Sequence, residues 1–362
     1  MRVGLLESFY GGSHRKWVDG LVEHSHHELV PHTLPGAHWK WRMHGAAVSF
    51  ARMLTTGEAM PSVLLVSGLC DLAALRGVLA REGHTPRCVL YMHENQLTYP
   101  WSPADPDPAL HRDAHYAWIH FTSVLSADQV VFNSGYHRSS FLGALPDFLR
   151  QFPDRTEFAS GLEHLHERSS VIAPGLDIRF LERHRQPKDE GPPICLWNHR
   201  WEFDKNPEPF FRALFTLSDE GVPFRLVVLG EQFRNSPAIF QEAREKLSAH
   251  ILHWGYCADP GEYARWLWRS HLLPVTARQD FFGYSVVEAL HCGVVPLLPR
   301  RLAYPEHSPE PHHFYTRDED FLPRLRSLLS AIGEAPAPPS VHHHGWASVI
   351  GEYDRMLAEV AR

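Results

Sequence analysis

Short, continuous apolar runs recur along the chain, and this pattern constrains the fold more than any other feature. The first series is Val3-Gly4-Leu5-Leu6, then the runs Ser62 to Ser67, Cys88 to His93, Gln129 to Asn133 and Ser170 to Ala173. Helical patterns lie between several of them. A strand buried on both faces has no polar side to show, so runs of this kind belong to parallel sheets covered by helices. Val3 to Leu6 leads into Glu7-Ser8-Phe9-Tyr10-Gly11-Gly12-Ser13-His14, and a helical pattern follows through Trp17, Val18 and Leu21. Strand, glycine-rich turn and helix open a doubly wound α/β unit.

A second series starts at Ile194-Cys195-Leu196-Trp197. It continues with the runs Phe224 to Gly230, His250 to Trp254, His271 to Val275 and Val294 to Leu298. Between the series, residues 183–193 are polar and proline-rich and read as a linker. Residues 333–344 read as another, ahead of an amphipathic helix from Trp346 to Val360. The 362 residues suit two domains of roughly 150–180 residues each. The expected fold is therefore α/β: a Rossmann-like domain over residues 1–185, a second over 186–340, and a C-terminal helical segment, 341–362. Two such domains in tandem form a cleft, and in such sheets ligands bind beyond the carboxyl ends of the strands.

Composition excludes several classes. The formal net charge of −7 argues against a protein that coats nucleic acid. Cys70, Cys88, Cys195, Cys257 and Cys292 form no CxxC pair and read as reduced thiols of a cytoplasmic protein. No apolar stretch reaches the ~18 residues of a membrane span, so no membrane association is expected. Met1-Arg2 runs straight into a strand, so no leader is expected. The clusters His24/His26/His27, His312-His313 and His342-His343-His344 fit no zinc template and read as solvated loops without metal.

Four places carry chemistry. The turn Gly11-Gly12-Ser13-His14 lets backbone amides approach an anion, or it is a structural βα turn. Arg200 and Lys205 leave the first strand of the second series together, in Trp197-Asn198-His199-Arg200-Trp201-Glu202-Phe203-Asp204-Lys205. They are suited to neutralising a diphosphate, or they are two solvated charges. In Asp280-Phe281-Phe282-Gly283-Tyr284-Ser285-Val286-Val287-Glu288, seven residues separate two carboxylates. With a helix from Ser285, amides around Phe282 and Gly283 face a sugar or phosphate and Glu288 reaches a ribose diol. The plain alternative has Asp280 capping the helix and Glu288 on the surface. His93 ends a strand and is followed by Glu94-Asn95-Gln96.

The acid-x7-Glu segment, with Arg-x4-Lys upstream, resembles the retaining GT-B glycosyltransferases over nearly the whole chain. That family usually has Glu where this chain has Asp280. The resemblance implies a nucleotide-sugar donor held mainly by the second domain. By position, Arg200, Lys205 and the Gly11-Gly12-Ser13 turn meet the diphosphate, and Glu288 meets the ribose. Asp280, Phe281, Phe282, Gly283 and Tyr284 meet the sugar, Tyr256 lies by the base, and Asn198 and Gly230 join the donor set. His93 matches the family histidine near the reacting carbon. No essential metal or cofactor is implied, because cationic side chains and helix dipoles take that role.

Longer strings narrow the match. Glu7 to His14, Leu34-Pro35-Gly36-Ala37-His38-Trp39-Lys40-Trp41-Arg42, Tyr91 to Pro100 and Trp197 to Lys205 together resemble the tRNA-queuosine α-mannosyltransferase family. This implies GDP-mannose as donor and, as acceptor and partner, tRNA carrying queuosine, glycosylated on its cyclopentenediol. His14, Trp39, Lys40, Trp41, Arg42, Glu94, Asn95 and Gln96 then fall on the acceptor side. Residues 29–57 contain no Asp or Glu. Cations interleaved with aromatics suit an unstacked base and its phosphates. The competing reading buries Trp39 and Trp41 inside the first domain. Two other functions remain open: a retaining transferase with a lipid or polysaccharide acceptor, and a non-catalytic sugar-nucleotide or RNA-binding protein.

Overall fold

A computed structural model describes residues 1–57, 59–154, 162, 164–233 and 236–362. In chain order the elements are β1 (Arg2–Tyr10), α1 (Gly12–His24), β2 (Glu28–Pro35), α2 (Trp39–Thr56), β3 (Val63–Ser67), α3 (Leu72–Arg81), β4 (Arg87–Met92), α4 (Ala114–Ser126), β5 (Gln129–Phe132), α5 (Gly135–Leu149) and β6 (Ser169–Val171). There follow α6 (Ile178–Arg183), β7 (Ile194–Trp197), α7 (Pro207–Asp219), β8 (Arg225–Val228), α8 (Ile239–Lys246), β9 (Ile251–Trp254), α9 (Pro260–Arg269), β10 (Leu272–Pro274) and α10 (Tyr284–His291). The last are β11 (Val295–Pro299), α11 (Tyr304–His307), β12 (Phe314–Tyr315), α12 (Phe321–Ser330) and α13 (Trp346–Val360). The chain divides into one unit of residues 1–175 plus 344–362 and a second of residues 176–343.

In the first unit the described strands form a parallel six-stranded sheet in the order β2-β1-β3-β4-β5-β6. Val3, Leu5, Leu64, Val66, Leu90 and Val130 are fully buried, as continuous apolar strands in a doubly covered sheet must be. The order reverses at β1, which pairs with β2 on one side and β3 on the other. α13 belongs to this unit. Its Trp346, Val349, Tyr353 and Leu357 share one apolar cluster with Val3, Leu5 and Trp17.

The second unit has a parallel sheet in the order β12-β11-β10-β7-β8-β9, also read from the described residues. Here the order reverses between β7 and β10, which are paired neighbours through Leu272 and Cys195. The sheet is covered by α7, whose Phe210, Phe211 and Leu214 pack with Trp197, Leu226 and Leu297.

Three sequence expectations change. Residues 176–185 pack in the second unit, because Leu181 is buried and its carbonyl accepts from Trp268 Nε1 at 2.8 Å. The stretch 183–193 is anchored. Lys188 donates to the carbonyls of Ser270 and Cys292, and Asp189 accepts two bonds from Arg269 at 2.8 and 2.9 Å. The histidine clusters are not simply solvated. The His24 ring stacks on Trp346, His313 and His344 are buried, and Ser308 Oγ sits 2.8 Å from His313 Nδ1. Imidazoles serve there as packing and capping groups.

Candidate active site

In an open parallel sheet, the loops on either side of the point where strand order reverses diverge and leave a crevice. In the second unit these loops follow β7 and β10, and they carry Asn198 to Asn206 and Thr276 to Gly283. Lys205 joins them. Its Nζ lies 2.9 Å from Asp280 Oδ1, 3.2 Å from Asp204 Oδ2, and donates to the Gln279 carbonyl at 2.8 Å. The Tyr304 hydroxyl donates to Asp280 Oδ2 at 2.6 Å. Burial alone would lower the Lys205 pKa, but Asp280 and Asp204 outweigh it and the net direction is up. Burial would raise Asp280, but Lys205 and His199 outweigh it and the net direction is down. Both groups are therefore charged. Arg200 is half-exposed and pairs with Glu202 at 3.0 Å. Lys205 is thus buried and paired, whereas Arg200 remains an exposed charge with an acidic partner.

Asp280 does not cap the helix that follows. Gly283 stands at that position with φ 80°, and its own side chain would lie 3.1 Å from the Tyr304 ring if it had one. α10 starts at Tyr284 with no acidic residue in its first turn, so no carboxylate of its own opposes the positive end of its dipole. Asn198 Nδ2 donates to the Ser285 carbonyl at 2.7 Å, and Ser285 Oγ lies 3.0 Å from His199 Nδ1. Glu288, one turn on, is buried, and its Oε2 accepts from the Tyr263 hydroxyl at 2.8 Å. Phe281 and Phe282 are buried, whereas Tyr256 is 67% exposed. Gly230, after β8, has φ 104°, and a Cβ there would meet the His199 carbonyl oxygen at 2.0 Å. Only glycine lets these two loops approach so closely.

In the first unit the reversal falls at β1. Glu7 is fully buried near the carboxyl end of that strand. Its Oε1 accepts from the Phe9 amide at 2.7 Å and from Ser67 Oγ at 3.0 Å. Its Oε2 lies 3.1 Å from His14 Nδ1 and 3.6 Å from His93 Nε2. The His14 and His93 rings face each other with centroids 4.0 Å apart. Burial, then His14 and His137, push the His93 pKa well below the usual value. The turn Gly11-Gly12-Ser13 begins α1 directly after β1, with Gly11 as the N-terminal cap.

Comparison with known proteins decides the family. Residues 2–176 match the family described as tRNA-queuosine alpha-mannosyltransferase N-terminal, and residues 179–306 match glycosyl transferases group 1. The tRNA-queuosine alpha-mannosyltransferase of Drosophila melanogaster is 32% identical over 321 residues, which is 86% of this chain and 83% of that protein. The chain belongs to the tRNA-queuosine alpha-mannosyltransferase family.

Solved structures place this family member in the GT-B fold. Sucrose-phosphate synthase from Thermosynechococcus elongatus superposes with a TM-score of 0.65 at 13% identity, covering 100% of this chain and 96% of that one. The lipopolysaccharide outer core galactosyltransferase WaaB superposes with a TM-score of 0.61 at 11% identity, covering 99% of each chain. The expected glycosyltransferase class and two-domain α/β GT-B architecture are both found.

The remaining predicted residues of this mannosyltransferase-family chain fall into two groups. Trp39 is half-buried against Trp101 and Tyr116, with ring centroids 6.2 and 5.2 Å away, whereas Trp41 is 63% exposed. The two tryptophans thus split between the two readings. Lys40 pairs with Asp105 at 2.7 Å and with Asp107, so its charge is locally neutralised. Arg42 donates to the Pro35 carbonyl at 3.3 Å. Asn95 is fully buried, and its Oδ1 accepts from the amides of Leu97 and Thr98 at 3.0 and 2.9 Å, which closes the loop. Gln96 Nε2 donates to Glu94 at 2.9 Å.

Sequence reasoning did not single out Glu7, Asp204, Tyr263 or Tyr304. Glu7 carried a signal, since a carboxylate directly follows the apolar run of a buried strand. The tyrosines carried none. For possible cation ligands, two groups among the described residues bring donor atoms within 4.8 Å of one another: Glu7/His14/His93 and His253/Cys257/Glu262. In the second, His253 Nδ1 lies 3.8 Å from Glu262 and Nε2 lies 3.5 Å from Cys257 Sγ. Among the described residues no helix is long and apolar enough to cross a membrane.

Proposed function

We propose that this protein transfers a mannosyl group, with retention, from GDP-mannose to the cyclopentenediol of queuosine in tRNA. Family membership across both halves of the chain carries this reading. The second unit supports the donor role, because acid, cation, glycine turn and helix start gather where its strand order reverses. The arrangement suits four tasks. Lys205 and Arg200 stabilise charge building on the leaving diphosphate, the largest single effect in most such catalysis. The positive N-terminal end of α10 attracts phosphate or sugar oxygens. Asp280 accepts from sugar hydroxyls, and Glu288 accepts from the ribose diol. The bond from the anomeric carbon to the diphosphate breaks as the bond to the acceptor oxygen forms on the same face. The acceptor proton passes to the β-phosphate. Trp41, exposed in a segment without acids, serves the RNA.

The test is incubation of purified protein with GDP-mannose and queuosine-containing tRNA, followed by mass spectrometry of the nucleosides. A hexose added to queuosine is the expected result. Hydrolysis of GDP-mannose with unmodified tRNA would instead point to a lipid or polysaccharide acceptor. No turnover and no sugar-nucleotide binding would end the reading.

A further inference from the structure

Glu7 is fully buried in the first unit, where its carboxylate is hydrogen-bonded to three groups and faces a fourth. Oε1 takes the Phe9 amide and the Ser67 hydroxyl, both proton donors. Oε2 faces two imidazole nitrogens, His14 Nδ1 at 3.1 Å and His93 Nε2 at 3.6 Å. A buried carboxylate offers lone pairs alone and tolerates no second lone pair against it. Each nitrogen that faces it therefore carries hydrogen.

For His93 the consequence is specific. Its side chain is 8% exposed, and its Nε2 is buried without a hydrogen bond, with Glu7 Oε2 at 3.6 Å the acceptor it faces. Trp17 and Tyr91 stand edge-on to the ring at 4.6 and 4.7 Å and offer no competing acceptor on those sides. Burial favours the neutral ring, which holds one hydrogen. Placing that hydrogen on Nε2 leaves the lone pair on Nδ1.

We infer that Glu7 is a positioning residue: it fixes the Nε2–H tautomer of His93 and holds His14 through Nδ1–H, so that His93 Nδ1 accepts a hydrogen bond from a substrate hydroxyl. The logic is that of a carboxylate holding a catalytic imidazole in one tautomer. The role of the hydroxyl rests on the proposed glycosyl transfer; the tautomer does not.

The tautomer is read directly by two-bond nitrogen–proton correlation NMR on the full chain labelled with ¹⁵N-histidine, without substrate. Signals are assigned by their disappearance in His93→Gln. The wild-type protein shows His93 protonated at Nε2 and bare at Nδ1. Glu7→Gln presents an amide in place of the carboxylate, and the population moves toward Nδ1–H. In steady-state assays Glu7→Gln lowers kcat about 10-fold or more with donor KM within a few-fold, the signature of a group that acts in the transition state. His93 found as Nδ1–H or doubly protonated at pH 7 in the wild type overturns the inference. So does an unchanged tautomer in folded Glu7→Gln. Zinc bound at one equivalent and lost in His14→Ala also overturns it, because a cation would take the nitrogen lone pairs that Glu7 is said to exclude. A correct tautomer in a protein that modifies no tRNA would sink the proposed reaction and leave this assignment standing.

Discussion

Lys205 Nζ and Asp280 Oδ1 are 2.9 Å apart, and this contact ties the loop after β7 to the loop after β10. Lys205 also touches Asp204, so one ammonium is shared by a fully buried acid and a part-buried one. Its first duty is therefore to make burial of those carboxylates tolerable. A ligand phosphate has to compete for a cation that already has partners.

Lys205→Ala leaves two acids without their cation. The expected cost is about 3–5 kcal/mol of folding stability, the usual penalty for an uncompensated buried charge. Asp280→Asn keeps the shape and leaves Asp204 to balance Lys205, so it stays folded. It lowers transfer more than it weakens nucleotide binding. Urea unfolding of both variants, with calorimetric titration of GDP into Asp280→Asn, measures the difference. Equal stability of Lys205→Ala and wild type would refute the shared-cation picture.

Tyr263 and Glu288 form the second pair to be tested. The hydroxyl holds the buried carboxylate in place for a diol. A hydrogen bond to a charged group contributes about 1.5–3 kcal/mol. Tyr263→Phe is expected to raise the KM for the nucleotide sugar about 10-fold, with kcat little changed. A fall in kcat at unchanged KM would show that Glu288 acts on the reacting centre instead.

The first unit offers a contrast between neighbours. Trp41 is exposed, while Trp39 packs on Trp101 and Tyr116. Trp41→Ala is expected to raise the KM for tRNA about 10-fold and leave thermal stability and donor KM alone, because loss of one base-stacking platform costs about 1–3 kcal/mol. Trp39→Ala should lower the melting temperature by several degrees, as loss of half-buried aromatic packing does. Thermal melts and initial rates at varied tRNA separate the two.

The strands buried on both faces were legible because two-sided burial writes itself as an apolar run. Two edge strands were not. β2 shows the burial of a strand with one neighbour, and its Pro31 sits where an edge tolerates a missing donor. β12 is two residues long. At the site, Asp280, Glu288, Arg200 and Lys205 were legible from spacing, but their partners were not. Tyr304 reaches Asp280 across 24 residues and Tyr263 reaches Glu288 across 25, and only the fold closes such gaps. The same holds for Lys40, whose charge looked available in the sequence and is met by Asp105 and Asp107.

His120 gives the pH prediction. It is fully buried, with Nδ1 accepting from the Gln96 amide and Nε2 donating to the Gly68 carbonyl, each at 3.0 Å. Both nitrogens are used by a neutral ring of one tautomer. Burial pushes its pKa down from 6.5 to about 4, against the opposing pull of the Gly68 carbonyl. Between these values the unfolded chain binds a proton that the folded protein refuses, so stability rises with pH through that window. The contribution is fully present above about pH 6.5 and is lost as pH falls toward 4; a shift of this size corresponds to about 3 kcal/mol. His120→Gln keeps a donor and an acceptor but cannot titrate. Its unfolding free energy should therefore fall less steeply than that of the wild type between pH 6.5 and 4, by up to about 3 kcal/mol over the window. Parallel slopes in urea unfolding at several pH values would mean that His120 takes up its proton in the folded state as readily as in the unfolded chain.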